Sequence, residues 1–592
     1  MEISESKGNR TRADCSSLPP WSIDTHMSSL VLTPKRYLII TNPATGQVNP
    51  LLSLAEELVN RGNQVVFMSS EPIFKKLKKI QSRMGFIVQP ESTPSPEYVM
   101  RMPLVFYTLG DNEVVADYTD KAAKLSDHFH EVLRSKPGQI WAWLSMFAEH
   151  VPGATDSYGE VVFMIRDLIE SLDPDMIIVD NFSAFAVDGV RLTKRAFIET
   201  SPAAASAVAS KVDIFRNPMP MSGGRSATGG IFVFFHNLLF ILIWLHFIFF
   251  NRHPAQRRRY RKEVLGLKPT DIICDSIMTP TPGMLPQQIA TISFNVANMD
   301  IYPSDAYDNS VYFVGPCFAP KQLMMPSARS IPSSPVNFSF RNLELSPNVS
   351  TASTPTIADG SMLEKQMLSA HAVAQMQDPV KIWMDRAMMD SKRVLYLNMG
   401  SIFFYNREDY DNIVASLEML HEQVPDILVL WKIGNHPQNV QPIPTLEECN
   451  LPSYIRREHW IADVETVLSH PALAAFMHHG GGNSYNEALA HGVPQFCISQ
   501  WVDTHDIGLY IQHSGVGLWA EKSPKFDPSD MVPKLVRLLK DDYKRFRHSA
   551  LSWKLKCIQA GGTIGTVDII ENLLKSYDFP DNNSKARIPD AI

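Results

Sequence analysis

Short apolar runs that end in turn residues recur along the chain and predict buried parallel strands. The first run, residues 36–44, ends in Asn-Pro-Ala, and helical apolar spacing follows, with Asn49 placed to cap the helix and Pro50 in its first turn. Gly62 is expected to end this helix, and the next apolar run begins at Gln64. Strand, helix and strand in this order form a βαβ unit, which indicates an α/β fold with helices covering a parallel sheet.

The same pattern returns in the second half of the chain. Apolar runs of strand length begin at Arg393 and Asp426, and residues 474–492 have the pattern of a strand, a glycine loop and a helix that Gly492 ends. Another strand is predicted at 493–499. Two α/β units predict two similar domains. Because ligands bind at the carboxyl ends of parallel strands, we expect a binding cleft between the two domains.

Shifts in composition divide the chain into five expected segments. The first 33 residues are polar, lack the apolar stretch of a secretory signal and predict a disordered leader. In residues 319–355, 14 of 37 positions are Ser or Pro and none is Gly, which is typical of a surface insertion or linker. The expected segments are a leader at 1–33, an N-terminal α/β domain at 34–316, an insertion at 317–378, a C-terminal α/β domain at 379–575 and a tail at 576–592.

Residues 231–250 form an apolar stretch that only His236, Asn237 and His246 interrupt. Its length is sufficient for a membrane span, and six basic residues follow within 251–262, as at the cytosolic border of a membrane segment. A single crossing would place the two domains of one cleft on opposite sides of the membrane. We therefore favour a helix that is buried or forms part of a pocket, or one that lies on a membrane surface, over a true span.

Overall composition limits the classes of function. The 592 residues exceed what one hydrophobic core usually serves, and 45% apolar with 20% charged residues is ordinary globular composition. A net charge of −7 gives no reason to expect nucleic-acid binding. The six cysteines include no CxxC pair, so neither a zinc site nor a disulfide framework is expected, and a reducing compartment fits.

Residues 477–495, MHHGGGNSYNEALAHGVPQ, gather polar groups around a glycine run. A loop between a strand and a helix brings backbone N–H groups and a helix N-terminus together, which is an arrangement that binds phosphate. Glycine lets the backbone approach such a ligand closely. His479, Asn483 and Ser484 can donate to phosphate oxygens, and Glu487, one helical turn later, can accept from ribose hydroxyls.

Residues 460–506 resemble the donor-binding signature of the UDP-glycosyltransferases, in the variant found in fungal and sterol-type members. Weaker matches extend the resemblance to the N-terminal strand-loop-helix, to Val-Gly-Pro at 314–316, to residues 397–401 and to a closing helix at 560–574. The resemblance implies the GT-B fold, in which two Rossmann-like domains face each other across a cleft. The N-terminal domain of this family binds the acceptor and the C-terminal domain binds the nucleotide sugar.

The resemblance also implies a role for each matching residue at the nucleotide. Trp460 matches the tryptophan that stacks on uracil. His479 matches the histidine on the diphosphate, with Asn483 and Ser484 beside it. Glu487 matches the glutamate that binds ribose.

The sugar end of the donor site is less complete. Asp503 matches the aspartate that holds sugar hydroxyls, but Thr504 stands where plant members have glutamine, so a sugar preference does not carry over. Gly481 of the glycine run and Ser401 after the strand that begins at Arg393 complete the expected donor site.

Gln47 departs from the family pattern, which usually has a histidine there. That histidine removes a proton from the acceptor hydroxyl while the sugar is transferred with inversion, and Asp180 matches its supporting aspartate. Glutamine can orient an acceptor but cannot take a proton at neutral pH, and general-base help is worth about 10²–10⁴ in rate. We expect an orienting role for Gln47 and regard Asp180 as the base, acting directly or through a water. The alternatives are an acceptor that needs no base and a protein that only binds the donor.

The sequence thus predicts an inverting transferase that moves a hexose, with glucose expected, from a UDP-sugar without a metal or cofactor. Residues 231–250 lie in the acceptor-binding part of the family fold, so a lipophilic acceptor such as a sterol, terpenoid or polyketide is expected, in a specialised-metabolite pathway. The alternative is a nucleotide-sugar-binding regulatory or scaffold protein without catalysis. The expected location is the cytosolic face of a membrane, contacted through 231–250, and not outside the cell.

Overall fold

The structure is a computed structural model. It describes residues 34–84, 90–91, 102–109, 156–220, 230–270, 275, 282–283, 285–318, 378–400, 403, 405–434, 443–445, 450–500, 502–521 and 525–576. The predicted leader, most of the Ser/Pro-rich insertion, most of the tail and Ser401 lie outside the described residues.

The first domain contains a parallel sheet of eight strands in the order β3-β4-β2-β1-β5-β6-β7-β8. Its strands are β1 (Arg36–Ile40), β2 (Gln64–Ser69), β3 (Pro90–Glu91), β4 (Leu104–Thr108), β5 (Met176–Asp180), β6 (Phe197–Ser201), β7 (Gln288–Ser293) and β8 (Val311–Phe313). The strand order reverses at β1, which pairs with β2 on one side and with β5 on the other.

The second domain contains a parallel sheet of six strands in the order β11-β10-β9-β12-β13-β14. Its strands are β9 (Arg393–Asn398), β10 (Ile427–Lys432), β11 (Ile455–Glu458), β12 (Leu473–His478), β13 (Gln495–Ser499) and β14 (Gly517–Glu521). Here the order reverses at β9, between β10 and β12. The expectation of two parallel α/β domains is confirmed.

Among the described residues, fourteen α-helices connect or cover the strands. They are α1 (Thr45–Asn60), α2 (Phe74–Met84), α3 (Asp156–Leu172), α4 (Ala184–Thr193), α5 (Ile231–Phe250), α6 (Arg252–Glu263), α7 (Pro379–Met389), α8 (Arg407–Gln423), α9 (Val464–Ser469), α10 (Gly482–His491), α11 (Val502–His513), α12 (Pro528–Val536), α13 (Tyr543–Gln559) and α14 (Gly562–Ser576).

Helices cover both faces of each sheet. Alternate residues of each strand point to opposite sides of the sheet and enter the two cores. In the first domain, Tyr37 and Ile39 belong to a core that includes α1, α2 and α14, whereas Leu38 and Ile40 belong to a core with α3 and α4. In the second domain, α8 and α12 cover one face and α7, α9 and α10 cover the other. Burial on both faces accounts for the continuous apolar runs from which the strands were predicted.

Helix α1 begins earlier than its capping pattern predicted. Its cap position is Ala44, and Pro50 lies inside the helix. The Oδ1 atom of Asn42 accepts the Ala44 N–H at 2.9 Å, so an asparagine before the strand-helix turn shapes the helix start, and the expected cap at Asn49 is wrong. This earlier start places Gln47 in the first turn of α1, close to the end of β1.

Helix α14 returns from the second domain to the first. Val567 and Ile570 enter the core of the first sheet, and Arg61 at the end of α1 pairs with Asp568 at 2.7 Å and with Glu571 at 3.0 Å. The segment that was expected to close the C-terminal domain therefore packs on the first sheet.

Helix α5 is not the buried helix favoured from its sequence. Only five of its 20 residues are buried, and nine large apolar side chains are exposed to solvent. Among the described residues, it is the one helix long and apolar enough to cross a membrane.

The docking of α14 yields a stability prediction with a matched control. Ile570→Ala should lower the free energy of unfolding by about 3 kcal/mol, because the side chain is fully buried in the first domain's core. Ile564→Ala on the same helix should change it by less than about 0.5 kcal/mol, because Ile564 is 53% exposed. Urea unfolding followed by circular dichroism measures both. Equal losses in the two variants would contradict the packing of α14 on the first sheet.

Candidate functional site

The loops after β9 and β12 lie at the point where the strand order of the second sheet reverses, which is where open α/β sheets bind ligands. Gly400 comes from the first loop, and His479 and Gly481 come from the second. A methyl group on Gly400 would lie 2.5 Å from Cε1 of His479, and one on Gly481 would lie 2.4 Å from its Nε2. The two loops therefore approach the His479 ring so closely that neither position has room for a side chain.

The two adjacent histidines of this loop have different roles. His478 is fully buried, its Nδ1 accepts the Gly480 N–H at 3.1 Å, and its Nε2 lies 2.9 Å from Oε1 of Gln495. His478 thus fixes the loop backbone. Burial, followed by the charge of His478, lowers the pKa of His479 to about 3. His479 is therefore neutral at physiological pH and can donate one ring N–H to a ligand.

The N-terminus of α10 faces the same cleft. Gly481 is its cap residue, without a side-chain cap, and the first intrahelical acceptor is the Gly481 carbonyl, which receives the Tyr485 N–H at 3.1 Å. The N–H groups of the first turn, from Gly482 to Ser484, therefore precede the helical hydrogen bonds and carry the positive end of the helix dipole. As predicted, α10 ends at Gly492, which has a left-handed backbone with φ of 66°.

The two domains meet at this helix start. A methyl group on Gly482 would lie 2.4 Å from the carbonyl oxygen of Pro202, which follows β6. Nδ2 of Asn483 donates to the carbonyl oxygen of Thr45, the first residue of α1, at 3.3 Å. The loop predicted to bind diphosphate thus contacts the segment that carries Gln47.

Glu487, Trp460 and Lys432 form the other end of the candidate donor site. Trp460 is 70% exposed, and Nζ of Lys432 lies 4.8 Å from the centroid of its ring. Burial raises the pKa of Glu487 to about 7, although the charge of Lys432 lowers it in part. Burial also lowers the pKa of Lys432. An exposed indole can stack on a base, and the carboxylate and ammonium groups can bind hydroxyl groups.

Lys432 was missed in the sequence, where no motif marks it. Its only signal was its position as the last residue of β10, next to the strand where the order reverses.

Asp503 and Thr504 lie in the first turn of α11, and their surroundings differ. Burial raises the pKa of Asp503 to about 6, while backbone N–H groups of Asp503 and Thr504 lower it in part. Thr504 is 1% exposed, and its Oγ1 accepts the Gln500 N–H at 3.0 Å. A methyl group on Gly480 would lie 2.9 Å from the Thr504 carbonyl oxygen, so Thr504 packs beneath the glycine loop.

Asp180 ends β5 at the reversal point of the first sheet and is fully buried. Its carboxylate accepts from Asn42 N at 3.0 Å, Asn42 Nδ2 at 3.3 Å, Phe182 N at 2.8 Å and Ser183 Oγ at 2.5 Å. Burial raises its pKa, and these hydrogen bonds lower it in part. Asp180 therefore joins the loop before α1 to the start of α4, which is a positioning role. Its action as the base, like the other roles carried over from the resemblance, stays a prediction.

Known proteins that are similar to this chain include several that are named as glycosyltransferases. Residues 443–555 match the family model of the erythromycin biosynthesis protein CIII-like C-terminal domain. The chain is 26% identical to erythritol-mannosyl-transferase 1 of Mycosarcoma maydis over 603 aligned positions, which cover 90% of each protein. It is 27% identical to UDP-glycosyltransferase 84A2 of Arabidopsis thaliana over 33% of this chain and 39% of that protein.

Solved structures match the fold over nearly the whole chain. The glycosyltransferase of kitacinnamycin aligns with a TM-score of 0.52 and 16% identity, covering 91% of this chain and 99% of that one. The calicheamicin glycosyltransferase aligns with a TM-score of 0.51 and 14% identity, covering 92% and 99%. With the two parallel sheets, these similarities show that the chain has the GT-B fold, and its sequence is similar to family 1 glycosyltransferases.

Proposed function

We propose that the protein transfers a hexose from a UDP-sugar to a hydroxyl group of a small-molecule acceptor, with inversion at the sugar carbon. The observation that carries this proposal is the contact of Asn483 with Thr45, which joins the loop of His479 to the segment of Gln47. A donor diphosphate at the first and an acceptor at the second would lie within one cleft.

Each part of the donor has a candidate partner. The exposed ring of Trp460 offers a stacking surface for uracil, and Glu487 can accept from the ribose hydroxyls. The N–H groups at the start of α10 and the ring of His479 would stabilise the charge that develops on the departing UDP, so that no metal is required. Asp503 is proposed to hold the sugar hydroxyls.

The proposal leaves two acceptor classes and two hexoses to compare. The relatives that match along 90% of the chain are named for mannosyl transfer to erythritol, which favours a small polyol acceptor and leaves glucose and mannose as the hexoses to compare. The sequence predicts a lipophilic acceptor because of residues 231–250. Because nine large apolar side chains of α5 are exposed, we take a polyol as the first candidate, and the lipophilic acceptor stays a prediction.

The acceptor proton is the open part of the mechanism. Gln47 can orient an acceptor hydroxyl but cannot remove its proton at neutral pH. The carboxylate of Asp180 already accepts hydrogen bonds from Asn42, Phe182 and Ser183. If the proton is lost late, the bond between the acceptor oxygen and the sugar carbon would form first. The hydroxyl proton would then pass to water. The reaction would then run without the general-base acceleration of about 10²–10⁴.

The assay that tests this proposal measures UDP release and product mass. Purified protein receives UDP-glucose or UDP-mannose, with erythritol or a sterol as acceptor. Product formation is expected, and His479→Ala and Glu487→Ala should each weaken donor binding by about 10- to 100-fold through loss of hydrogen bonds to charged groups. Donor binding without turnover on either acceptor class would favour the regulatory or scaffold alternative. Unchanged donor affinity in both variants would remove the assignment of this loop.

Donor affinity should depend on pH through Glu487, whose pKa is raised to about 7. The ionised carboxylate is the stronger acceptor, so affinity should rise by about fourfold from pH 6.5 to 8.5 if only that form binds. Calorimetry with UDP-glucose measures this dependence. UDP-glucose is suitable because its phosphates lack the second ionisation of a terminal phosphate, which would add a pH dependence of its own. The rise should be absent in Glu487→Gln and shifted to higher pH in Lys432→Met, which removes the charge that lowers this pKa. A flat profile in the unmodified protein would contradict the role of Glu487.

Restoring a base at position 47 should increase the rate on a neutral hydroxyl. Gln47→His is expected to raise kcat by up to roughly 10²-fold, with a pH dependence near the ordinary imidazole pKa of about 6.5. Gln47→Asn, which adds no base, is the control and should not gain activity.

Asp180→Asn should lower thermal stability together with activity, because an amide presents N–H groups to the donors of Asn42 and Phe182. Loss of activity at full stability would instead identify Asp180 as the acting base.

A further inference from the structure

Helix α5 presents an apolar surface that the described part of the chain leaves exposed. Phe232 is 87% exposed, Phe250 is 78% exposed and Ile231 is 65% exposed. The full set of large apolar side chains exposed on this helix is Ile231, Phe232, Phe235, Leu238, Leu239, Leu242, Leu245, Phe249 and Phe250. An apolar surface of this extent on a soluble domain marks an interaction site.

A neighbouring loop extends this surface. The ring of Phe215 stacks on Phe234 of α5, with a centroid distance of 4.9 Å and an interplanar angle of 3°, and Phe215 itself is 63% exposed. Two separate segments thus expose aromatic rings on the same side of the first domain. The apolar surface is therefore a feature of the folded domain and not of one helix alone.

The opposite side of α5 is fixed to the domain along its length. Asn237 is fully buried, its Nδ2 donates to the carbonyl oxygens of Ile214 and Asn217 at 2.8 Å each, and its Oδ1 accepts the Met219 N–H at 2.9 Å. At the other end, Nη1 of Arg258 donates to the carbonyl oxygen of Ile248 at 3.0 Å. A transmembrane orientation would have to break these contacts, so the helix is held against the domain surface.

The charge around the apolar surface indicates which kind of partner binds there. The segments on either side, 211–220 and 251–263, expose five basic residues and two acidic ones, although the whole chain carries a net charge of −7. The basic residues are Lys211, Arg216, Arg252, Arg259 and Lys262, and the acidic ones are Asp213 and Glu263. A local excess of positive charge beside exposed phenylalanine and leucine matches a bilayer surface with anionic headgroups.

The width of the surface disfavours a second copy of the helix. A two-helix seam uses two apolar positions per heptad, with charged residues beside them. In α5, Ile231, Phe235, Leu238, Leu242, Leu245 and Phe249 have that spacing, but Phe232, Leu239 and Phe250 broaden the exposed face where a seam would have charges.

We propose that α5, Phe215 and the flanking basic residues form a docking surface that holds the first domain on an anionic membrane, with α5 lying in the plane of the interface. About 30 Å of helix would then insert its exposed face by about 5–10 Å, while Asn237 keeps the other face on the protein. Both domains stay on one side of the bilayer, so the cleft between them remains intact.

Vesicle sedimentation with the full-length protein tests this surface. Binding is expected to vesicles of phosphatidylcholine with about 30% phosphatidylserine, and to fall at least tenfold for neutral vesicles or at high salt. A variant with Phe232→Ser, Phe235→Ser, Phe249→Ser and Phe250→Ser should lose binding at least tenfold while keeping its melting temperature. The matched control carries Leu551→Ser, Leu555→Ser and Ile564→Ser, which replace exposed apolar residues of α13 and α14 and should leave binding unchanged.

Three outcomes would overturn the proposal. One is absence of vesicle binding by the unmodified protein, and another is equal loss of binding in the phenylalanine variant and its control. The third is a lipid-free dimer, detected by light scattering, that the phenylalanine variant abolishes, since the surface would then belong to a second copy of the chain. The phenylalanine variant should keep its affinity for the UDP-sugar. This measurement distinguishes loss of the membrane surface from loss of the proposed transferase function.

Discussion

Pro202 and Gly482 bring the backbones of the two domains so close that a methyl group on the glycine would lie 2.4 Å from the proline carbonyl oxygen. This approach controls the geometry of the cleft, because Gly482 is the first residue of α10 and Pro202 follows a strand of the first sheet. The contact of Asn483 with Thr45 depends on the same distance. A side chain on Gly482 would separate the N–H groups of α10 from the start of α1.

Burial at this junction disfavours the charged forms of three groups of the candidate site. It holds His479 neutral and raises the pKa of both Glu487 and Asp503. Ionising a group in such surroundings is costly unless a partner is supplied. Hydroxyl groups and a diphosphate are suitable partners, since the first donate to carboxylates and the second accepts from N–H groups.

Much of the fold could be predicted because buried parallel strands leave long apolar runs, and glycines mark their turns. The loop of His479 and the end of α10 at Gly492 followed from these local signals. Other features depend on tertiary contacts. The start of α1 is set by Asn42, and Lys432 belongs to the site only because β10 lies next to β9. The exposure of α5 could not be predicted because its sequence is apolar on every side, and periodicity cannot distinguish the face that the domain covers.

The retention of Asp180 beside Gln47 acquires a physical explanation from its hydrogen bonds. Asp180 accepts from both the backbone and the side chain of Asn42, and Asn42 in turn accepts the Ala44 N–H before α1. The carboxylate therefore supports the turn from β1 into α1 whether or not a histidine follows. A catalytic motif can lose its base and keep the supporting aspartate, because the aspartate also stabilises the loop. The presence of Asp180 is thus explained by the turn that it supports, while its action as the base stays a prediction.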